Sequence, residues 1–433
     1  MTTVLIIIIF IIMCALMYTK KLSAMFALPS MAFLIALVAG IPFTNVVADG
    51  TTSPGILTLL FVDGPGRLAS SMFMLIFGAI LAQMIKTSGI AETIVRKVSE
   101  LAGDRPLVLG IAFLLVLSLL FTTLGGLGAV IMIGTIVLPI MTSVGIAPLT
   151  AGCILLFALS TGGIFNFANW GLYISALSLT IEQIRSFAYF LGAIFVLVGI
   201  LFVIVETKHG GKLFRREKKT SWTAPAEETT VVKKIHWWAL LSPIIPLIMV
   251  LGLKVDIITG FVVAILYCLL TTINKDSMKQ LTKAVTQGIS DSAGAIFLMI
   301  GIGMLLKVVM DPRVTAHIGP QLASILPSHS ITYILFFSIL APLALYRGPF
   351  NVWGLGLGIG AIMMTTGQMS ALAIMAALMS TGQLQGICDP TNTHNVWTAA
   401  STGVDVNDIL RKTIPYVWGA AIIGLIVAGF LYM

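Results

Sequence analysis

Apolar runs long enough to cross a lipid bilayer recur from one end of this sequence to the other. The hydrocarbon core of a bilayer is about 30 Å thick, so the recurrence predicts a polytopic membrane protein and excludes a soluble domain with one anchor. The runs are continuously apolar and do not alternate, which favours α-helices over a β-barrel. The first run, VLIIIIFIIMCALMY, lacks a preceding basic segment and a following cleavage site, and we interpret it as a retained helix.

The composition supports the same class. The 433 residues are 58% hydrophobic and 10% charged, whereas about a quarter of the residues in a soluble domain are charged. The formal net charge of +8 lies mostly in loops, where lysine and arginine set membrane orientation, so we expect no nucleic-acid partner. Cysteines stand singly, without metal-ligand spacing, and predict neither disulfides nor a metal site. They are Cys14, Cys153, Cys268 and Cys388.

Basic residues predict the orientation of the chain. The long polar stretch from Lys208 to Lys234 is rich in lysine and arginine, which places it on the cytoplasmic side by the positive-inside rule. Shorter basic groups are assigned to the same side: Lys20, Lys21, Lys86, Arg96, Lys97, Lys275, Lys279, Lys283, Arg411 and Lys412. This topology leaves both termini outside. We expect a multi-pass protein of the bacterial cytoplasmic (inner) membrane.

Three segments of the first half recur in the second half, in the same order and with a nearly constant offset. The pairs are Phe73–Ile94 with Ile296–Ile318, Phe121–Gly134 with Leu345–Gly358, and Leu155–Asn169 with Ile374–Asn392. Many secondary transporters consist of two halves inserted in opposite senses. The recurrence therefore predicts a first inverted repeat over 1–207, a basic linker over 208–235 and a second inverted repeat over 236–433, each repeat with about five spans. In the second repeat we place spans near 237–252, 254–272 and 290–309 and a last helix over about 414–432.

A glycine-rich segment divides the apolar stretch over 106–144. In TTLGGLG, three glycines fall within four residues, as expected where backbone turns sharply beside a cavity. We predict a re-entrant hairpin with this segment at its tip, and a second hairpin over 330–366 with YRGPFN at its tip. Two full membrane crossings in place of each hairpin would also leave an odd number of spans in each half, so that alternative stays open.

Polar residues interrupt one further span in each half. The interruptions are STGGIFNFANWG, from Ser160, and STGQLQGICDPTNTHN, from Ser380. A helix broken inside the bilayer leaves backbone groups unpaired, which hydrocarbon tolerates only where a cavity, an ion or a substrate supplies partners. The predicted fold class is thus an all-α polytopic membrane protein with two inverted-topology repeats, each containing a re-entrant hairpin and an interrupted transmembrane helix.

The hairpin tips and the interruptions supply the candidate site residues. Candidates for substrate binding carry hydroxyl, amide or guanidinium groups or lie at a hairpin tip: Arg347, Gly348, Asn351, Ser160, Thr161, Asn169, Ser380, Thr381, Thr391 and Asn392. Candidates for cation coupling offer oxygen ligands, a titratable group or free backbone: Thr123, Gly125, Gly126, Asn166, Asp389, Thr393, His394 and Asn395. Half-helix N-termini favour anions, and released carbonyls favour cations.

Two charged candidates have alternative interpretations. Arg347 is suited to a carboxylate, either that of a substrate or that of Asp389 in an empty site, but it would snorkel to the interface if the hairpin were two crossing helices. Asp389 is the one carboxylate that we place near the midplane, as a sodium ligand or a proton carrier, and it could instead cap a following helix. His394 is interpreted as a scaffold residue rather than a proton relay. Phe165 and Phe167 could line a pocket or pack in the core, as could Phe350 and Trp353.

The chain resembles the ion transporter superfamily of secondary carriers, and among them the bacterial citrate, gluconate and C4-dicarboxylate permeases. The resemblance rests on FGAILAQMIKTSGIAETIVRKV, on the glycine-rich hairpin that follows it, and on the paired STG stretches with their breaks. It implies a homodimer that moves organic anions with sodium or protons in an elevator-like way. Paired Ser-Asn-Thr triplets at the hairpin tips of some members have no counterpart here, so the coupling ion is left open.

Three functional hypotheses follow. The first is a secondary active transporter for the cation-coupled uptake of a small organic carboxylate, with sodium or a proton as the coupling ion and no other cofactor. The second is a sodium/proton antiporter built on Asp389 and His394. The third, an enzyme or a channel, lacks a paired catalytic acid motif and an HExxH sequence. The absence of a GxxxxGK[ST] sequence also disfavours an ATP-driven pump.

Overall fold

The computed structural model describes residues 1–19, 21–48, 50–208 and 235–433. Nearly all of the predicted basic linker, and with it Lys20, lies outside these described residues. Within them, the only strands are β1 (Val46–Ala48) and β2 (Thr51–Ser53), which form an antiparallel hairpin with Val46 opposite Ser53. The predicted boundaries of the linker and of the two repeats therefore stay predictions.

The described residues before the linker form eleven helices. They are α1 (Thr2–Tyr18), α2 (Ala24–Val38), α3 (Ile56–Thr58), α4 (Gly64–Arg67), α5 (Ala69–Ser88), α6 (Ile90–Ala102), α7 (Pro106–Phe121), α8 (Gly126–Ser143), α9 (Pro148–Ile164), α10 (Phe167–Leu177) and α11 (Ile181–Lys208). A π-helical turn, Leu59–Asp63, joins α3 to α4.

Over 235–433, where the structure describes the chain again, nine helices follow the linker. They are α12 (Ile245–Leu247), α13 (Ile257–Thr271), α14 (Ser277–Val309), α15 (Pro312–Ile325), α16 (Ser330–Leu340), α17 (Leu357–Thr365), α18 (Ala371–Cys388), α19 (Thr393–Thr402) and α20 (Val406–Tyr432). Short 3₁₀ turns cover Trp237–Leu241 and Ala341–Ala344, and π-helical turns cover Ile248–Gly252 and Val352–Gly356.

The two halves contain the same order of elements. A long apolar helix (α5 or α14) precedes an amphipathic helix (α6 or α15), a helical hairpin (α7–α8 or α16–α17), a broken span (α9–α10 or α18–α19) and a long final helix (α11 or α20). In the described part of the chain, six helices are long and apolar enough to cross a membrane, or up to eight spans if bent pairs are counted. This architecture confirms the predicted fold class.

Some predicted boundaries were wrong. The segment predicted as a span over 237–252 is a series of short turns and not one helix, because Pro243 and Pro246 have no N–H to donate to a preceding carbonyl. Helix α14 begins at Ser277, well before the predicted start near 290. The final helix begins at Val406, not near 414, because Asp405 accepts a hydrogen bond from Asn407 N and caps it.

Both hairpin tips adopt backbone conformations that few residues favour. Gly126 has φ +78°, a left-handed conformation that glycine adopts at little cost. At the second tip, Tyr346 and Arg347 have φ of 54° and 58°, which is uncommon for two consecutive residues with side chains. The second tip is therefore strained at the residue that the sequence singles out as an anion ligand.

Close helix contacts hold the two halves together. A Cβ atom at Gly288 of α14 would lie 2.8 Å from Ile80 N of α5, so these two helices pack at a distance that only glycine permits. Helices α11 and α20 also pack together, and there Lys412 Nζ lies 2.8 Å from Glu206 Oε2. Both charged side chains are buried, and Tyr416 donates a hydrogen bond to Glu206 Oε1 at 3.1 Å.

Candidate functional site

A cavity of about 360 Å³ lies where the two hairpin tips meet the two broken spans. Both halves of the chain contribute to its walls, as the paired segments predict. The predicted site residues that line it come from all four elements: Gly125, Gly126, Ser160, Asn166, Asn169, Arg347, Asn351, Asp389, Asn392, Thr393 and His394. We refer to this space as the central cavity.

The first broken span bends by 46° between α9 and α10. Asn166 holds this break, because its side-chain oxygen accepts from Ala168 N at 2.9 Å and its amide donates to Phe121 O at 3.3 Å. The second contact ties the break to the last residue of α7 in the first hairpin. Asn169 Nδ2 donates to Gly163 O at 2.8 Å and satisfies a carbonyl released at the end of α9.

The second broken span separates α18 from α19 at residues 389–392. Asp389 Oδ1 accepts from Thr391 N at 2.8 Å and from Thr391 Oγ1 at 2.7 Å, and Asn392 accepts from His394 N at 3.3 Å. Asn395 Nδ2 donates to the carbonyls of Ile387 and Asp389, both at 3.0 Å. Side chains of the break itself thus satisfy much of its interrupted backbone.

Asp389 combines a structural contact with a place in the cavity wall. Its bonds to Thr391 agree with the interpretation that it orders the turn before a helix. The residue is only 1% exposed, and it is the one carboxylate among the residues that line the central cavity. Within the described residues it forms no ion pair. A buried carboxylate beside a cavity and without a cation is a candidate cation ligand.

Arg347 enters the central cavity from the second hairpin tip. It is exposed, and no hydrogen bond or ion pair joins its guanidinium to another described residue. The internal pair with Asp389, one of the alternatives for an empty site, is therefore not formed in this structure. Among the residues that the structure describes, Arg347 and His394 are the only basic ones that line the cavity. The guanidinium is thus available to an anion.

Seven predicted site residues do not line the central cavity: Thr123, Thr161, Gly348, Ser380, Thr381, Thr391 and Asn395. Two hydroxyl groups in this set bond to the preceding turn: that of Thr123 donates to Leu120 O at 3.2 Å, and that of Thr381 donates to Ala377 O at 2.9 Å. Ser380 and Asn395 are completely buried. Gly348 serves the turn, since its N–H donates to Leu345 O at 2.9 Å. Composition alone does not show which face of a broken helix meets the cavity.

Gln383, which is not among the predicted site residues, connects the two breaks. Ser160 Oγ donates to Gln383 Oε1 at 2.6 Å, and Gln383 Nε2 donates to Met379 O at 2.9 Å. Gln383 directly follows the STG triplet in the second interruption, and this position was the signal in the sequence that could have identified it as a site residue. Gln385 also lines the cavity.

Aromatic side chains form the apolar part of the wall. Trp353 lines the cavity together with Phe121, Trp170 and Tyr173. The other aromatic residues left undecided by the sequence do not line it. Phe167 and Phe350 are buried in the core, and Phe165 packs against Tyr189 with ring centroids 6.1 Å apart.

Comparison with known proteins identifies the class of fold. No protein family model matches the chain, and no curated protein matches it in sequence. The structure is similar to that of the Alcanivorax borkumensis YdaH transporter, with a TM-score of 0.61, 14% identity, and coverage of 93% of this chain and 96% of that one. It is also similar to Neisseria gonorrhoeae MtrF, with a TM-score of 0.59, 13% identity and 93% coverage of both chains.

The fold is that of a polytopic membrane transporter. YdaH is described as having an unusual topology, and MtrF as illuminating a class of antimetabolite efflux pumps. Both are described as transport proteins, and the expectation that this chain is not an enzyme stays a prediction. The narrower resemblance to the ion transporter superfamily, and to its citrate, gluconate and C4-dicarboxylate permeases, stays a prediction.

Proposed function

We propose that this protein is a secondary active transporter that takes up a small organic carboxylate together with sodium or a proton. The single observation that carries the proposal is Arg347, an unpaired arginine in a cavity formed by both halves of a transporter fold. A guanidinium offers two parallel N–H groups that match the two oxygens of a carboxylate. An anion of this class would complete the bonding that the arginine lacks.

The broken helices add to the attraction for an anion. Residues at the first turns of α10 and α19 line the central cavity, among them Ala168, Asn169, Thr393 and His394. A helix N-terminus carries a partial positive charge, so two such ends facing one cavity favour negative charge. Asp389 opposes this field, and a coupling cation beside it would remove the repulsion.

The size of the cavity limits the substrate. A volume of about 360 Å³ is near the lower end of the range of small-molecule sites. Trp353 and Trp170 would contact the carbon skeleton of the acid, while Ser160, Asn351 and Gln383 would bond to its hydroxyl or further carboxylate groups. These contacts suit a metabolite-sized acid with one to three carboxylates.

The proposed mechanism is elevator-like alternating access in a homodimer. Cation binding would order the site, and the acid would then bind against Arg347 before the broken spans and hairpins move together. Because MtrF is described with efflux pumps, transport by this chain should be measured in both directions. A sodium/proton antiporter is the second candidate, favoured by the buried and unpaired carboxylate of Asp389.

A thermal-shift screen of the purified protein tests this proposal. The ligands are citrate, gluconate, succinate and lactate, each with sodium chloride or choline chloride at two pH values. We expect one acid to raise the apparent melting temperature only with sodium or only at the lower pH, because a ligand that binds the folded state stabilises it. At a hundred times the dissociation constant the gain is about 2.7 kcal/mol. Stabilisation by sodium alone, with no added effect of any acid, would favour the antiporter.

A further inference from the structure

A second, smaller space lies beside the central cavity, between α5, α8 and α14. Its volume is about 20 Å³, and its walls include Gln83, Lys86, Gly128 and Asp291. Gly125, at the first hairpin tip, lines both spaces. A volume of this size holds about one water molecule or one small ion. We refer to it as the side cavity.

Asp291, a carboxylate outside the set of predicted site residues, faces the side cavity. Gln287 Nε2 donates to Asp291 Oδ1 at 2.8 Å, and the Gln83 amide donates to Oδ2. A Cβ atom added to Gly128 would lie 3.6 Å from Asp291 Oδ2, so the carboxylate lies directly against the first hairpin. No ion pair joins Asp291 to a basic side chain in the described part of the chain.

The position of Asp291 along α14 connects it with the central cavity. The residues that follow it on the same side of the helix, Ala295 and Leu298, line the central cavity. Asp291 is exposed, as are Gln287 and Ser290 in the turn before it. Asp291 stands eighteen residues before Val309, which is about 27 Å along a helix and close to the thickness of the hydrocarbon core. A helix that crosses the core from Val309 therefore reaches its opposite surface near Asp291, where water can reach the side cavity.

Asp291 lies toward the end of the bundle that is predicted to be cytoplasmic. Lys279 and Lys283 belong to the first turns of α14, and Lys86 to the last turn of α5. Asp291 precedes Ala295, which lines the central cavity, by one turn of α14, so its negative charge acts on an anion bound there. Uncompensated, that charge would repel it.

We propose that Asp291 and Gln83 form a cation site in the side cavity, and that occupation of this site couples the cation to anion binding. The inference rests on the proposed function, since the coupling needs an anion in the central cavity. Sodium prefers oxygen ligands, which the carboxylate supplies directly and the two glutamines supply when their amides turn. A proton on the carboxyl group would neutralise the same charge. Either cation removes the repulsion and fixes the carboxylate beside the hairpin tip.

The first hairpin (α7–α8) is the element through which cation binding acts on anion binding. Gly125 and Gly128 border the side cavity, while Gly125 and Gly126 border the central cavity. A cation held between α14 and the hairpin therefore favours one position of the tip, and that position sets the wall of the anion site. Lys86 is the one other charged group facing Asp291 from the side-cavity walls, and α8 contributes no titratable group there.

The test uses the full-length purified protein and its Asp291→Asn variant. Thermal stability is measured during a sodium chloride titration at fixed pH, with choline chloride keeping ionic strength constant, and during a pH titration in choline chloride alone. Citrate, gluconate and succinate are then titrated with and without the effective cation. We expect Asp291→Asn to weaken the cation response at least tenfold and to bind the acid with little dependence on the cation. Asp276→Asn, an exposed change of the same charge just before α14, should behave like the unmodified protein.

Arg347→Ala separates this inference from the proposed function. If both are correct, Arg347→Ala loses the acid and keeps the cation response, while Asp291→Asn shows the opposite pattern. If no acid stabilises any form, the proposed function fails, and a cation response that depends on Asp291 would still establish the site. An unchanged cation response in Asp291→Asn, or none in the unmodified protein, would overturn the cation site. Asp291→Glu keeps the charge and should retain a weaker cation response. This variant keeps the test valid if Asp291→Asn does not fold.

Discussion

Arg347→Ala is expected to abolish uptake of the organic acid into proteoliposomes and to weaken its binding roughly tenfold to a hundredfold. A hydrogen bond to a charged group contributes about 1.5–3 kcal/mol, and each 1.4 kcal/mol corresponds to a factor of ten in affinity. Arg347 has no hydrogen-bond or ion-pair partner among the described residues, so its removal breaks no such bond within the fold. The variant should therefore keep the melting temperature of the ligand-free protein.

Two further variants sharpen this prediction. Arg347→Lys keeps the charge but loses the paired N–H geometry, and we expect intermediate binding. Arg411→Ala removes an exposed arginine, whose side chain is 65% exposed and lies 3.9 Å from Asp408, and should leave uptake unchanged. Full uptake by Arg347→Ala, with saturation at the same acid concentration, would remove the arginine from the site.

The second large effect concerns stability and not transport. Glu206→Gln is expected to lower the melting temperature more than any other single change discussed here, because it leaves the Lys412 ammonium buried beside a neutral group. Lys412 Nζ lies 2.8 Å from Glu206 Oε2, and the side chains of Lys412 and Glu206 are 4% and 1% exposed, respectively. Breaking a buried ion pair by removing one partner typically costs about 3–5 kcal/mol. Thermal unfolding in detergent, followed by intrinsic fluorescence, measures the change.

A double variant provides the control for this pair. Glu206→Met with Lys412→Met replaces both charges by apolar groups and should recover most of the lost stability, since such replacements are often neutral. Tyr416→Phe removes only the hydroxyl that donates to Glu206, at a cost of about 1 kcal/mol. Equal melting temperatures for Glu206→Gln and the unmodified protein would show that the pair contributes little to holding α11 against α20.

The sequence allowed the broken spans and the hairpin tips to be located because each puts polar residues or glycine inside an otherwise apolar stretch. Asp389 and Arg347 were found in this way, and both line the central cavity. Asp291 was missed because it lies at the edge of a predicted span, where a carboxylate is unremarkable in sequence. Its contact with Gly128 depends on the packing of α8 against α14, which periodicity does not reveal.

The sequence also did not predict which face of each broken helix lines the central cavity. Ser160 and Thr161 are neighbours in one STG triplet, yet only Ser160 lines the central cavity. Helix α9 is apolar on all sides, so its sequence carries no stripe that marks the face toward the cavity. The bond from Ser160 to Gln383 joins residues far apart in the chain and follows from the approach of the two breaks.

The most direct test of the central claim is a cryo-electron microscopy structure of the protein with the acid that stabilises it most, in the presence of the effective cation. We expect density for the acid in the central cavity, with a carboxylate within hydrogen-bond distance of Arg347 and near the first turns of α10 and α19. Density at another place, or an Arg347 paired with Asp389 while the acid is bound elsewhere, would contradict the proposed site.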